Sequence, residues 1–462
     1  MKLLLFTVIV CITITIQGQE KYFSSAEIKK DIDSLVSYLE QTHPNPYTVV
    51  SKADFYKKIE LTKKSLPDSL NVITFFSKIA PILSSLNDGH TAAVFPYVQW
   101  TKSNPYCFPI SIKIKKDRSL VVDEEQAYIP LHSKILSINQ VESKEIIKTL
   151  ISSHSGEDVN FRIPHINRTL RERYGAHYGF KENYNVKYEH EGIVKSLNLK
   201  GLRIAKDIRD EVRKTSASTM VELPFSYTLL EDSVGYLDSR SFFGTYREKF
   251  ASFLDSTFTL IKKQKIKNLI IDIRNNGGGD SKLADDLFQY ISKVPFQQLG
   301  KSIAKYSQIR KRFYDYYRKA GGFGKISDSV FEKKYFAHKN GSLVVEEDSH
   351  LIPLRENPLR FKGNVFLLTS VKTFSAGADF AWTFKYFNMG SIIGETTGGQ
   401  IVSFGDLVIA TLPISRLSLT ISHKEFYLYG ATEKERHGVI PHYKVSSEKA
   451  LDYALKLIKN KE

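Results

Sequence analysis

Three short stretches hold side chains able to do acyl-transfer chemistry. Ser375 follows an apolar run, NVFLLTS (364–370), and a sharp turn through Val371-Lys372-Thr373-Phe374, and a helix begins at it. A serine hydroxyl is a poor nucleophile until a base removes its proton. A helix N-terminus supplies free N–H groups and a positive dipole end, which favours an anion; it is also the ordinary place for a serine that only caps. Asn275-Asn276-Gly277-Gly278-Gly279 follows a second buried run, NLIIDI (268–273). Three successive glycines permit unusual dihedrals and close backbone approach to a ligand. Their N–H groups can bind an oxyanion or a phosphate, or the stretch is simply a tight turn. It is not GxGxxG and lacks the Gly-Lys-Ser/Thr ending of a phosphate loop. LNDGHT (86–91) places His90 after a turn. Histidine is the usual base at neutral pH, although a lone histidine is also read as structural or solvent-facing. The chain has no HExxH and no CxxC, and its 12 histidines are scattered, so no metal is expected.

Positioning these groups requires an α/β architecture with several parts. Residues 22–88 read as helical. Ser24 and Glu27 form a capping box; Ile28, Ile32, Leu35, Val36 and Leu39 recur at helical spacing; Pro44 and Pro46 end that helix. Apolar-periodic segments follow near 55–61 and 70–86, up to the turn at Asn87-Asp88-Gly89. Residues 104–205 read as a β-rich module, with strands near 110–114, 119–123 and 134–141, a helix over 142–151 and a hairpin turning at Glu191-Gly192. Residues 206–222 are a polar linker. From 223 onward strands and helices alternate, which argues for a layered α/β core. Hairpin strands over 407–428 and a closing helix over 446–459 complete it. The basic, aromatic stretch 297–340 reads as a solvated helical insert over the site; no RNA- or DNA-binding motif accompanies it, and no nucleic acid is expected.

The 462 residues are 42% hydrophobic and 25% charged, which excludes a disordered chain, a collagen and a coiled coil. Lys and Arg number 66 against 50 Asp and Glu, giving +16. Lys2, the apolar run 3–16 and the small Gly18 have the order of a secretory signal peptide over 1–18. The run is shorter than the ~20 residues of a bilayer span, so export is expected, to the periplasm, the cell surface or the medium. After cleavage Cys107 is the single thiol; it sits in the apolar YCFPI and reads as buried filler.

In order along the chain, LNDGHT, IIDIRNNGGG, LLTSVKTFSAGADFA (367–381) and GETTGG (394–399) resemble the tail-specific or C-terminal processing serine proteases. The resemblance covers most of the chain and is strongest over 80–100 and 225–445. It implies a crotonase-like, ββα-layered core over 223–462, an N-terminal helical domain over 19–103 that carries DGHT, and a degenerate PDZ-like module over 104–205. One branch of the family uses a lysine just after GExTxG, where this chain has Gln400, which cannot act as a base. The other branch resembles the tricorn core protease. It implies Ser375 as nucleophile, His90 as base and Glu435 as the acid, with Glu433 as the alternative, shortly before GVIPH (438–442). Two departures stand out: His442 replaces an aspartate, and Gly89 replaces a serine. The N–H groups of Gly278 and Ala376 are the implied oxyanion donors, with Gly279 as the alternative for the first. The implied activity is hydrolysis of protein or peptide substrates through an acyl-enzyme, without a cofactor. Two rivals are an α/β-hydrolase built on TFSAG (373–377) with Asp406 and His423 or His437, and a non-catalytic binder of peptides or apolar ligands.

Overall fold

The computed structural model describes residues 20–203, 223–230, 234–319 and 329–460. The expected signal peptide (1–18) and linker (206–222) lie outside these residues. A mixed α/β architecture of several parts emerges. Its central sheet runs, in spatial order, Phe225–Leu229, Val234–Ser239, Asn268–Asp272, Asn364–Thr369, Ser391–Gly394 and Tyr443–Lys444. The first pair is antiparallel and every later pair parallel. Asn268–Asp272 and Asn364–Thr369 are apolar without alternation because both faces of this sheet are covered. The helices Arg247–Lys263, Ser281–Ile291 and Ala376–Tyr386 pack with Leu269, Ile271 and Leu367 on one face. The helix Ala450–Lys459 closes over Ile270, Phe366 and Leu368 on the other. Because the two apolar strands are parallel neighbours in register, the glycine loop and the Ser375 turn leave the sheet side by side.

A second sheet runs Leu343–Glu347, Leu299–Lys305, Ser418–Leu428, Val402–Thr411. The two-residue strand Ala92–Ala93 joins it, pairing with Thr420 and Leu419. That pairing pins the loop just upstream, which carries His90, to the second sheet. The N-terminal helices Ser25–Thr42, Lys52–Lys64 and Val72–Ser84 share one apolar cluster with Val408, Leu412, Leu419 and Ile421 of the same sheet region. A buried carboxylate locks the arrangement: Asp31 accepts the N–H groups of Ile414 at 3.0 Å and Ser415 at 2.7 Å. A carboxylate buried this deeply is tolerated only with such donors.

The 104–203 region forms a third sheet, ordered Ile193–Lys200, Asn183–His190, Lys134–Ile138, Leu120–Val122, Ile112–Ile114. Its hairpin turns at Glu191-Gly192, both in the left-handed region at φ 50° and 78°. One expectation needs correction here. The sequence pattern suggested a single helix, but Val159–Arg168 and Leu170–Tyr178 follow Ser143–Ser152. Buried Arg162 and Arg173 interrupt the apolar periodicity that would have exposed them, and Pro164 sits inside the first.

The 297–340 stretch also differs from a purely helical insert. Leu299–Lys305 is a strand bonded on both sides, and Gln308–Lys319 and Ser329–Ala337 are helical. Tyr306, Tyr314 and Tyr335 bury one another, and the Arg310 guanidinium lies 4.0 Å from the Tyr306 ring centroid. Those rings are therefore no platform for stacking bases. Cys107 is buried, and burial pushes its thiol up to about 12. Among the described residues no helix is long and apolar enough to cross a membrane.

Candidate active site

Ser375 is the residue before the helix Ala376–Tyr386, and it stands at φ 51°, ψ −132°. A non-glycine residue in that region carries strain of about 1–3 kcal/mol. Its hydroxyl makes no capping bond to the helix, so the plain-cap reading does not describe it. The turn is laced to the glycine loop: Phe374 N–H donates to Asn276 O at 3.0 Å, and Thr373 Oγ1 donates to Ile273 O at 2.9 Å. From the other side Gly398 and Gly399 N–H donate to Thr373 O at 3.0 and 3.1 Å. The GETTGG segment thus clamps the Ser375 turn.

The glycine loop lies against the serine. Gly278 has φ +98°, and a Cβ there would sit 2.7 Å from Ser375 Cβ and 3.0 Å from Ala376 N. Only glycine fits. Its own N–H, however, donates to Asn276 Oδ1 at 2.8 Å. Gly279 and Ala376 line the same cavity as Ser375. Ala376 opens its helix, so its N–H has no partner within the helix.

His90 reaches this cavity from the N-terminal region. The cavity holds about 190 Å³ and is lined by His90, Ser375, Ala376 and Gly279, together with Phe404 and Phe426 of the second sheet. The His90 ring stacks on Phe374 with centroids 4.8 Å apart, and Phe374 stacks on Phe161 at 4.4 Å. Asp379, one turn beyond Ser375, also lines the cavity; burial, and then the Asp406 charge, raise its carboxyl to about 7.

Two carboxyl groups stand behind His90, and neither was singled out from sequence. Asp88 is 1% exposed. Its Oδ1 accepts the His90 backbone N–H at 2.8 Å, and its Oδ2 meets His43 Nε2 at 3.2 Å and accepts from Ser422 Oγ at 2.6 Å. Burial alone would raise its pKa. The His43 bond and charge, with His90 and Ser422, outweigh burial and hold the carboxyl well below the usual range. Asp88 Oδ1 lies 3.8 Å from His90 Nδ1, too far for a hydrogen bond. The second group is Glu157, whose Oε1 accepts Gly89 N–H at 3.2 Å. Burial, followed by the Asp88 charge, raises Glu157 to about 8. Asp88, His90 and Glu157 offer donor atoms within 4.8 Å of one another. That set fits a divalent cation poorly, because Asp88 is already committed and burial favours the uncharged form of Glu157.

The expected acids point elsewhere. Glu435 accepts from both Thr432 N and Thr432 Oγ1 at 2.7 Å, closing a capping box on a short 3-10 turn. Glu433 pairs with Arg436 and accepts from Tyr427 Oη. Neither lines the cavity, and neither is bonded to His90. Neither rival histidine lines the cavity: His437 Nδ1 lies against its neighbour's carbonyl, Gly438 O, and burial holds His423 down at about 3. Gln400 forms a bridge with Gly438, and His442 Nδ1 accepts Ile392 N–H at 2.9 Å, bracing a sheet strand.

Residues 233–445 match the family model of peptidase family S41. Those residues form a peptidase family S41 domain. The S41 peptidase is a serine-type hydrolase, and its likeness to the tail-specific, C-terminal processing proteases holds. Among solved structures it is similar to mature CPAF, with a TM-score of 0.60 and 14% identity over 94% of this chain and 97% of that chain. Mature CPAF complexed with lactacystin gives 0.59 and 14% over 94% and 98%. At such identity the likeness shows the fold alone. The photosystem II D1 C-terminal processing protease gives a TM-score of 0.42 and 14% identity over 92% and 94%.

Proposed function

We propose that this S41 peptidase is exported and cleaves protein or peptide substrates with Ser375 as nucleophile and His90 as base, in the manner of the tricorn-like branch. The observation that carries the reading is the shared cavity of His90 and Ser375, brought together from opposite ends of the chain. His90 Nε2 takes the hydroxyl proton as Ser375 Oγ attacks the scissile carbonyl. The Gly279 and Ala376 N–H groups hold the oxyanion, Gly279 replacing Gly278 because the latter's N–H is spent on Asn276. One such donor is worth ~3 kcal/mol. His90 then protonates the leaving amine, and a water, deprotonated by His90, hydrolyses the acyl-enzyme. The negative Asp88 beside the ring stabilises the imidazolium. In this reading Glu435 and Glu433 have no part, because their carboxylates are spent on the 432–436 turn.

The domain assignment belongs to the same reading: a helical domain over 19–103, a PDZ-like module over 104–205 that captures extended peptide by strand addition, and a crotonase-like core over 223–462. A signal peptide over 1–18 accounts for export. A serine-reactive phosphonate probe tests the site. Wild type labels at Ser375 and hydrolyses peptides; absence of labelling, or equal labelling of Ser375→Ala, removes the assignment.

A further inference from the structure

Two buried polar atoms behind the site lack a hydrogen-bond partner among the described residues, and they complement each other. One is His90 Nδ1, a ring nitrogen that can carry a proton; the other is Glu157 Oε2, a carboxyl oxygen. We propose that Glu157, delivered by the 104–203 module, is the positioning residue that accepts the His90 Nδ1–H during turnover, so that seating of this module governs the base. The inference rests on the Ser375–His90 reading above and adds the group that sets the tautomer of the imidazole.

Asp88 does not fill this role. Both its oxygens are committed, and its separation from Nδ1 is 3.8 Å. Glu157 is half committed: Oε1 holds the loop through Gly89 N–H, and Oε2 is left over. Gly89 explains the access. A Cβ on residue 89 would stand 2.8 Å from Glu157 Oε2 and 2.8 Å from the Phe374 ring. Glycine therefore leaves the room that the carboxyl occupies. The module is tied to the same loop by Arg162, which donates to Asn87 Oδ1 at 2.6 Å and to Ser84 Oγ at 3.0 Å. Small movements of the module thus move Glu157 and the His90 loop together.

The donor atoms of Glu157 and His90 lie within 4.8 Å of one another, and the polarity of the proposed bond gives it a direction. With Oε1 accepting the Gly89 N–H, a protonated Glu157 carries its proton on Oε2 and offers it to Nδ1. That leaves the ring proton on Nε2, where no lone pair remains for the Ser375 hydroxyl. An ionised Glu157 accepts from Nδ1–H and frees the Nε2 lone pair. No bond to carbon forms or breaks at Glu157; the Ser375 proton passes to Nε2 and onward to the leaving amine. The charged and titratable groups facing Glu157 are Asp88 and His90 from the 86–91 loop and Arg162 from the helix Val159–Arg168 that follows it, with His165 and His154 stacked beyond Phe161. Burial holds both of those histidines low. With Glu157 at about 8, activity rises as pH passes through that value.

The test uses the full-length protein and Glu157→Gln, which keeps the size and removes the ionised acceptor. Peptide hydrolysis is followed from pH 6 to 10, with phosphonate labelling of Ser375 and thermal melting in parallel. The expected result is a loss of roughly 10- to 100-fold in kcat at high pH, with KM unchanged and the rise near pH 8 abolished. Glu157→Asp restores part of that rise, and serves as the second variant should Glu157→Gln fold poorly. A Glu157→Gln protein that retains wild-type kcat and the same pH rise overturns this inference alone, provided wild type labels at Ser375. A wild type that does not label overturns the underlying site, and this inference with it.

Discussion

The ring of His90 lies stacked on the ring of Phe374, at 4.8 Å between centroids and 28° between planes, and Phe374 is the residue before Ser375. The proposed base is thus held against the backbone that presents the proposed nucleophile. Phe161 of the module continues the stack on Phe374 at 4.4 Å, so one column of rings joins all three regions of the chain. Phe374→Ala removes the middle ring. It is expected to lower kcat by about tenfold or more through a misplaced imidazole, while far-ultraviolet circular dichroism stays that of the wild type. An unchanged kcat would mean that the stack does not position His90.

Gly278→Ala tests the contact between loop and serine. The added methyl would fall 2.7 Å from Ser375 Cβ, at a backbone φ of +98°. We expect a stability loss of about 1–3 kcal/mol and a larger fractional fall in probe labelling than in the folded fraction. Chemical denaturation and labelling rate, measured on the same sample, separate the two effects.

Asp88 makes a prediction about acid. Its carboxyl is held below the value of 3.8 that it would have unfolded. Its contribution is therefore complete above about pH 4 and is lost as pH falls further. Asp88→Asn leaves His43 and Ser422 facing a neutral amide, which is expected to cost about 3 kcal/mol at pH 7. The gap to wild type should shrink in melting curves taken progressively below pH 4. A gap that is constant across pH would place the stabilisation in shape rather than charge.

Glu435→Gln separates the acid expected from the motifs from the one the geometry favours. Its carboxylate caps Thr432, so kcat/KM is expected to stay within about threefold of wild type. A hundredfold fall would return Glu435 to the proton relay.

Much of the site is legible in the residues themselves. The helix Ser281–Ile291 and the helix start after Ser375 follow from apolar runs broken by recognisable turns. The orientation of side chains is less legible. Glu435 sits where the motif spacing points, yet Thr432-Glu433-Lys434-Glu435 is itself a capping-box pattern, and that local bond takes the carboxylate. The pattern was available in the sequence as a signal. Glu157 was hidden for another reason. It lies in the polar stretch SSHSGEDVN (152–160), which reads as a loop, and its significance arises only from tertiary contact with Gly89. Asp88 stands inside the DGHT motif, but its burial depends on Ser422, a distant strand residue.

The most direct test of the central claim compares kcat/KM for peptide hydrolysis in Ser375→Ala, His90→Ala and Gln400→Ala, with circular dichroism to show each is folded. Losses of roughly 10⁴-fold or more in the first two, with Gln400→Ala near wild type, are the predicted result. A His90→Ala protein that retains activity while Gln400→Ala loses it would contradict the account.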